Sequence, residues 1–201
     1  MSVALACTCG AVRGRMHDTS AGAHNRVLCY CDDCRDFTTF LARPELVDDH
    51  GGSDILQTFP ANLVFTEGVG NVRGIRLSAK GLHRWYADCC KTPVGNTLGA
   101  GGPFAGVGMA FVAGMDRPGE RDRTFGPPRG TLLTKFATRP LPDGGTTNPL
   151  AFGVRTAWLL AAWTFGGKRW PSPFFDRATG RPIAPLRVLD GAERDALRAR
   201  P

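Results

Sequence analysis

Seven cysteines in three short groups constrain this 201-residue chain more than any other sequence feature. One group has three thiols within six residues, spaced C-x-C-x-x-C, and each of the other two has a pair. A structural tetrahedral zinc takes four protein ligands, whereas a catalytic zinc takes three and keeps one position open. The division into three plus four therefore predicts one zinc site of each kind. The groups are Cys29, Cys31 and Cys34; Cys7 and Cys9; and Cys89 and Cys90.

The composition is that of a chain that can build a core. Hydrophobic residues make up 42% of it and charged residues only 21%, which is too apolar for a disordered protein. No stretch reaches the roughly 18 to 20 apolar residues of a membrane helix, and no signal-peptide pattern is visible. We therefore expect a cytoplasmic protein, in which clustered cysteines are metal ligands or catalytic thiols rather than disulfides.

The formal net charge of +7 is carried mostly by arginine. These arginines are scattered, without a basic run of five or interleaved aromatic residues, so the sequence argues against nucleic-acid binding. A positive field of this kind is also compatible with a small anionic substrate. The sequence leaves a homo-oligomer open.

The hydrophobic pattern predicts a mainly β fold. Residues 3–15 read as an extended segment interrupted at Gly10, and residues 26–30 as a strand that leads into a short helix at 33–41. Further strands are expected at 54–59, 63–66, 72–77 and 83–87. We expect residues 1–115 to form a β domain and residues 116–201 a Pro/Gly-rich, partly helical extension packed on it as one structural unit.

Two regions are open to a functional or a structural interpretation. The glycine-rich stretch at 95–114 lacks the pattern of a phosphate-binding loop, so a loop or tight packing is favoured. In the predicted helix at 154–165, Val154, Trp158, Leu159, Ala162 and Trp163 lie nearly on one face, and its aromatic residues are expected in the core rather than in a cofactor site. A final helix is expected at 191–200.

With these motifs in place, the chain resembles the glutathione-dependent formaldehyde-activating (GFA) enzymes. The resemblance covers about residues 5–98 and lies in the C-x-C-G motif, the C-x-C-x-x-C motif and an aromatic strand that ends in cysteine. It implies a zinc-bound β-tent of antiparallel strands. It also implies structural zinc ligands at Cys7, Cys9 and Cys90, and a catalytic set at Cys29, Cys31 and Cys34.

The chain departs from that family at its third cysteine motif. Where the family has C-x-x-C-G, this chain has Ala87 at the first cysteine position and an additional cysteine at Cys89. Adjacent strand residues face opposite ways, so Cys89 and Cys90 can bind one ion only if the backbone turns there. We expect Cys89 to be the displaced fourth ligand, with Asp88, a water or His83 as alternatives.

The resemblance implies a zinc-dependent carbon–sulfur lyase that activates a thiol such as glutathione for addition to an aldehyde such as formaldehyde. Arg26, Arg35 and Arg43 are candidates for pairing with the carboxylates of such a substrate. Two other classes stay open: a non-enzymatic zinc-stapled binding module, and a thiol redox enzyme resembling methionine sulfoxide reductase B, which shares the β-tent.

Overall fold

The computed structural model describes residues 1–142, 144–145 and 148–199. Within them the fold is mainly β, as the sequence predicts, with eleven strands and four α-helices. The strands are β1 (Val3–Ala6), β2 (Arg13–Met16), β3 (Asn25–Cys29), β4 (Ser53–Thr58), β5 (Leu63–Glu67), β6 (Val72–Arg76), β7 (His83–Ala87), β8 (Thr92–Thr97), β9 (Ala105–Gly108), β10 (Gly130–Leu132) and β11 (Leu186–Val188). The helices are α1 (Asp32–Phe40), α2 (Glu120–Phe125), α3 (Pro149–Phe165) and α4 (Gly191–Arg198).

The strands form two sheets. The smaller has the order β1-β2-β5, and the larger has the order β10-β3-β4-β9-β8-β7-β6-β11. Both edge strands of the larger sheet, β10 and β11, pair in parallel with their neighbours, whereas the inner pairs are antiparallel. Both edges therefore come from the part of the chain after residue 115.

One buried cluster of apolar side chains joins the two sheets. It includes Leu5 of β1, Met16 of β2 and Trp85 of β7. The Trp85 ring stacks on Phe174, with 5.3 Å between the ring centroids. Because burying each such side chain stabilises a fold by about 1.5–3 kcal/mol, this cluster is the main core.

Strand β7 has two different faces, as strand alternation requires. Trp85 lies in the core between the sheets. Its neighbours Arg84 and Tyr86 lie on the opposite face, where Arg84 stands over the Phe37 ring and Tyr86 meets Phe40. Helix α1 therefore covers the outer face of the larger sheet.

The glycine-rich stretch contributes two central strands, β8 and β9, and so is not a loop throughout. The alternative of tight packing is confirmed at Gly95, where a Cβ atom would lie 2.5 Å from the carbonyl oxygen of Gly106. Glycine permits this close approach, but it also removes the alternating side chains by which a strand is recognised in a sequence.

The helix expected at 154–165 begins earlier, at Pro149, and its predicted core face is partly wrong. Leu159 and Trp163 are buried, but Val154 and Trp158 are 63% and 61% exposed. Asn148 caps the helix by accepting hydrogen bonds from the next turn.

The last helix is α4, which begins with a capping box formed by Asp190 and Glu193. The sequence prediction extends it to residue 200, which lies outside the described residues. None of the helices in the described part of the chain has the length and apolar content needed to cross a lipid bilayer.

Gly68, which follows β5, packs against the turn between β1 and β2 and provides a test of the fold. Its φ is +70°, and a Cβ atom there would lie 1.8 Å from the carbonyl oxygen of Ala11. We expect Gly68→Ala to lower the free energy of unfolding by at least about 2 kcal/mol, through left-handed strain and the clash. Urea unfolding measures the change.

Gly70→Ala is the matched control, because Gly70 is exposed and a Cβ atom there meets nothing within 4 Å. We expect Gly70→Ala to change the free energy of unfolding by less than about 1 kcal/mol. Equal effects of the two substitutions would contradict the described packing of Gly68 against Ala11.

Candidate metal centres

Two turns from different sheets bring four cysteines together. Cys7 and Cys9 lie in the turn between β1 and β2, and Cys89 and Cys90 lie in the turn between β7 and β8. All four Sγ atoms lie within 4.8 Å of one another. The cluster therefore connects the smaller sheet to the larger one and is positioned to hold a metal ion.

The sulfur–sulfur distances in this four-cysteine cluster are short and similar. Cys9 Sγ lies 3.6 Å from Cys7 Sγ and 3.4 Å from Cys89 Sγ. Cys89 Sγ lies 3.9 Å from Cys7 Sγ and 3.8 Å from Cys90 Sγ. Cys89 thus stands within reach of the same ion as the other three thiols.

The backbone turns at the two adjacent cysteines, which is the condition for both to face one ion. Strand β7 ends at Ala87, and residues 88–91 form a turn in which Lys91 has a left-handed φ of 56°. Asp88 pairs with Lys91, and His83 stacks on Trp85, so neither belongs to the cluster.

Hydrogen bonds stabilise the four-cysteine cluster from both turns. The Val12 N–H donates to Cys7 Sγ at 3.2 Å, and the hydroxyls of Thr8 and Thr92 lie 2.9 Å apart across the two turns. Partial burial opposes ionisation of Cys90, but hydrogen bonds with the two threonines outweigh it and lower the pKa of this thiol to about 5. A lowered thiol pKa favours the form that binds metal.

The second cluster holds three cysteines at the junction of β3 and α1. Cys29 ends the strand, Cys31 immediately precedes the helix, and Cys34 lies in the first helical turn. Cys31 Sγ lies 3.5 Å from Cys29 Sγ and 3.2 Å from Cys34 Sγ, and all three atoms lie within 4.8 Å. This three-cysteine cluster is the C-x-C-x-x-C motif, brought together as its spacing predicts.

Charge in the three-cysteine cluster is concentrated on its middle residue. Hydrogen bonds with Cys29 and Cys34 lower the pKa of Cys31 to about 2, with a smaller contribution from the positive charge of Arg84. The hydrogen bond with Cys31 raises the pKa of Cys29 to about 11, and the pKa of Cys34 is also raised. These opposite shifts favour a thiolate at Cys31 and thiols at Cys29 and Cys34.

A pocket of about 260 Å³ opens beside the three-cysteine cluster, and Cys34 lines it. Phe37 and Thr38 of α1 form one wall, and Asn96 of β8 lies on the sheet side. No residue of the four-cysteine cluster lines this pocket. The two clusters therefore differ in surroundings as well as in ligand number.

Ion pairs fix α1, and they involve its first two residues. Asp32 and Asp33 lie in the first turn of the helix, where the helix dipole stabilises carboxylates. Asp32 pairs with Arg35 at 2.5 Å, and Asp33 pairs with Arg194 of α4 at 2.6 Å. Arg198 of α4 forms a further ion pair with Asp36 of α1, so α4 holds the cysteine-bearing helix in place.

The three arginines nominated from the sequence all have partners inside the protein. Arg26 is buried between Asp54 and Asp122, Arg35 donates to the carbonyl of Phe136, and Arg43 donates to the carbonyl of Cys90. The cationic side chains that line the pocket are Arg84 and Arg121. Sequence reasoning missed both. In the sequence, Arg84 is simply one residue of an aromatic-rich strand, without a motif that marks it.

Metal content tests the four-cysteine cluster. We expect Cys89→Ser and Cys90→Ser each to lose one metal equivalent per chain and to melt at a lower temperature, because both sulfurs face the same ion. Plasma mass spectrometry and circular dichroism measure the two effects. Asp88→Asn is the matched control, because Asp88 stands beside Cys89 but pairs with Lys91 outside the cluster, and this variant should keep its metal. Full metal retention by either cysteine variant would exclude that residue as a ligand.

Comparison with known proteins identifies a family but no activity. Three solved chains match; one is a protein of Rhodobacter sphaeroides from a structural genomics programme, 17% identical, with a TM-score of 0.42. The match covers 57% of this chain and 91% of that one. No curated protein matches. A family of unknown function, DUF6151, matches residues 1–187, and the chain therefore belongs to this family.

Proposed function

We propose that the protein is a zinc-dependent enzyme of the carbon–sulfur lyase type, which activates a thiol such as glutathione for addition to an aldehyde such as formaldehyde. The observation that carries the proposal is that the three-cysteine cluster borders the pocket of about 260 Å³, whereas no residue of the four-cysteine cluster lines that pocket. A three-ligand metal site beside a cavity is the arrangement of a catalytic centre. A four-ligand site between two sheets is the arrangement of a structural one.

The cysteine geometry supports zinc in both clusters. Around a tetrahedral zinc with zinc–sulfur bonds of about 2.3 Å, neighbouring sulfurs lie about 3.8 Å apart. Four of the six sulfur–sulfur distances in the four-cysteine cluster are 3.4–3.9 Å, close to that spacing. The distances of 3.2 and 3.5 Å in the three-cysteine cluster would lengthen slightly around zinc. Ligand sets made only of thiolates suit zinc rather than magnesium or calcium.

The motifs and the fold give further support. The C-x-C-G and C-x-C-x-x-C spacings resemble those of GFA enzymes, and we extend the proposal to a zinc-bound β-tent for the core. Cys7, Cys9, Cys89 and Cys90 would hold the structural zinc. Cys29, Cys31 and Cys34 would hold the catalytic zinc, whose open position would favour the deprotonated form of a bound thiol.

The chain's own residues supply the setting for the addition. Phe37 and Met109 make part of the pocket wall apolar, which limits water around a bound substrate. The substrate sulfur forms a bond to the carbonyl carbon, the π electron pair of the carbonyl moves to oxygen, and that oxygen gains the proton which the thiol has lost. The addition is balanced without an oxidant or a reductant.

A redox role is the second candidate, because Cys31 Sγ and Cys34 Sγ lie only 3.2 Å apart. A disulfide between them would form by loss of two electrons to an oxidant such as a sulfoxide or a peroxide. The two candidates differ in what they require of the metal: the lyase needs it at the three-cysteine cluster, whereas the redox enzyme needs free thiols there.

The addition reaction tests the proposal. We expect the wild-type protein, holding close to two zinc ions per chain, to accelerate the exchange of formaldehyde with glutathione. We expect Cys31→Ser to reduce that acceleration at least 100-fold. The reason is that Cys31→Ser removes a ligand beside the pocket while leaving the other cluster intact. Exchange spectroscopy with labelled formaldehyde measures the rate above the uncatalysed reaction.

Tyr30→Phe is the matched control, because Tyr30 lies between two of the cysteines and donates to Asp48 rather than to the cluster. We expect it to keep the rate within about threefold. Absence of acceleration by protein with both sites filled would contradict the lyase proposal. A Cys31–Cys34 disulfide formed under mild peroxide would then favour the redox candidate.

A further inference from the structure

The pocket beside the three-cysteine cluster contains a buried arginine that is poorly paired. Arg84 is only 3% exposed, yet its ion-pair partner, Asp33, is 3.7 Å away. Among the described residues, no hydrogen bond from its guanidinium to an acceptor is found. A guanidinium has five N–H donors, and buried donors are normally satisfied. Arg84 therefore has donors available on the pocket side.

The carboxylate of Asp33 does not fully neutralise Arg84, because it also pairs with Arg194. Its carboxylate lies 2.6 Å from Arg194 and 3.7 Å from Arg84. The closer pair is the stronger one, since an ion pair weakens with distance. Arg84 also stands over the Phe37 ring at 5.5 Å, a contact that places the guanidinium next to the pocket wall.

The other charged groups that line the pocket have closer partners. Asp54 is held by Arg26 at 2.8 Å and by Arg121 at 3.1 Å. Asp48 accepts hydrogen bonds from Tyr30 at 3.1 Å and from two backbone N–H groups. Glu45, also at the pocket, pairs with Arg43.

Arg121 is engaged as well, since it donates to the carbonyl of Met115 at 2.8 Å in addition to its pair with Asp54. The charged lining is thus two ion-paired acids, the hydrogen-bonded Asp48, the paired Arg121, and Arg84. An incoming carboxylate would find unsatisfied donors at Arg84, which lines the same pocket as Cys34.

We propose that Arg84 forms an anion subsite in this pocket, and, resting on the proposed function, that the thiol substrate is a small acid with its carboxylate a few atoms from its sulfur. The volume of about 260 Å³ lies at the lower end for ligand pockets, which favours a compact molecule. Arginine suits the purpose because its planar fork binds a carboxylate through two parallel hydrogen bonds.

Calorimetry with three probes separates the subsite from the metal chemistry. The probes are 3-mercaptopropionate, its neutral counterpart 3-mercaptopropan-1-ol, and propionate, which lacks the thiol. We expect the wild-type protein to bind 3-mercaptopropionate at least tenfold more tightly than the neutral thiol, because charge-assisted hydrogen bonds to Arg84 add affinity. We also expect propionate to compete with 3-mercaptopropionate.

Arg84→Gln removes the subsite, and we expect it to reduce the tenfold preference to about one. Arg123→Gln is the matched control, since it removes the same charge from an exposed side chain that pairs with Glu120 and does not line the pocket. It should keep the preference. Arg84→Lys keeps the charge but lacks the planar guanidinium, so its preference for the acidic thiol should lie between those of Arg84→Gln and Arg123→Gln. Circular dichroism checks that each variant is folded.

Equal affinity of the wild type for the two thiols would overturn the inference without any variant. A preference that persists in folded Arg84→Gln would overturn it too, because the anion would then bind elsewhere. Propionate binding that depends on Arg84, together with no binding of the neutral thiol, would support the subsite and contradict thiol activation. Failure of the inference and failure of the proposed function are therefore distinguishable.

Discussion

Four sulfur atoms from two turns meet where the smaller sheet approaches the larger one, and a metal held there would connect the two sheets. The turn that carries Cys7 comes from the smaller sheet and the turn that carries Cys89 from the larger, with their sulfurs 3.9 Å apart. The Thr8 and Thr92 hydroxyls reinforce the contact. A metal bound here would stabilise the folded chain, because the unfolded chain has no preformed site.

The three-cysteine cluster lies in a different setting, on the outer face of the larger sheet. Helix α1 carries Cys34 against that face, and α4 holds α1 in place through Arg194 and Arg198. The pocket forms between the helix and the sheet, where Arg84 faces it from β7. The two clusters are thus built by different parts of the fold, and the proposed function assigns a structural role to one and the chemistry to the other.

Local features were predictable from the sequence, and most distant pairings were not. Cysteine spacing predicts the three-cysteine cluster and the strand-to-helix junction at Cys31, because those contacts lie within a few residues. The four-cysteine cluster joins residues 82 apart in the chain, and it was expected from the number of thiols and the resemblance to GFA enzymes rather than from local spacing. The strands around Gly95 gave no alternating pattern, since glycine has no side chain to alternate. The parallel edge strands and the weak pairing of Arg84 depend on partners far along the chain, as does the exposure of Trp158, which periodicity placed in the core.

Zinc-edge X-ray absorption on the protein as purified tests the central claim, that one site is closed and the other is open. A closed four-sulfur site and an open three-sulfur site together predict about 3.5 sulfur ligands per zinc, rising to about 4 when a thiol substrate is added. Four sulfurs per zinc before any thiol is added, or no change on its addition, would contradict the account.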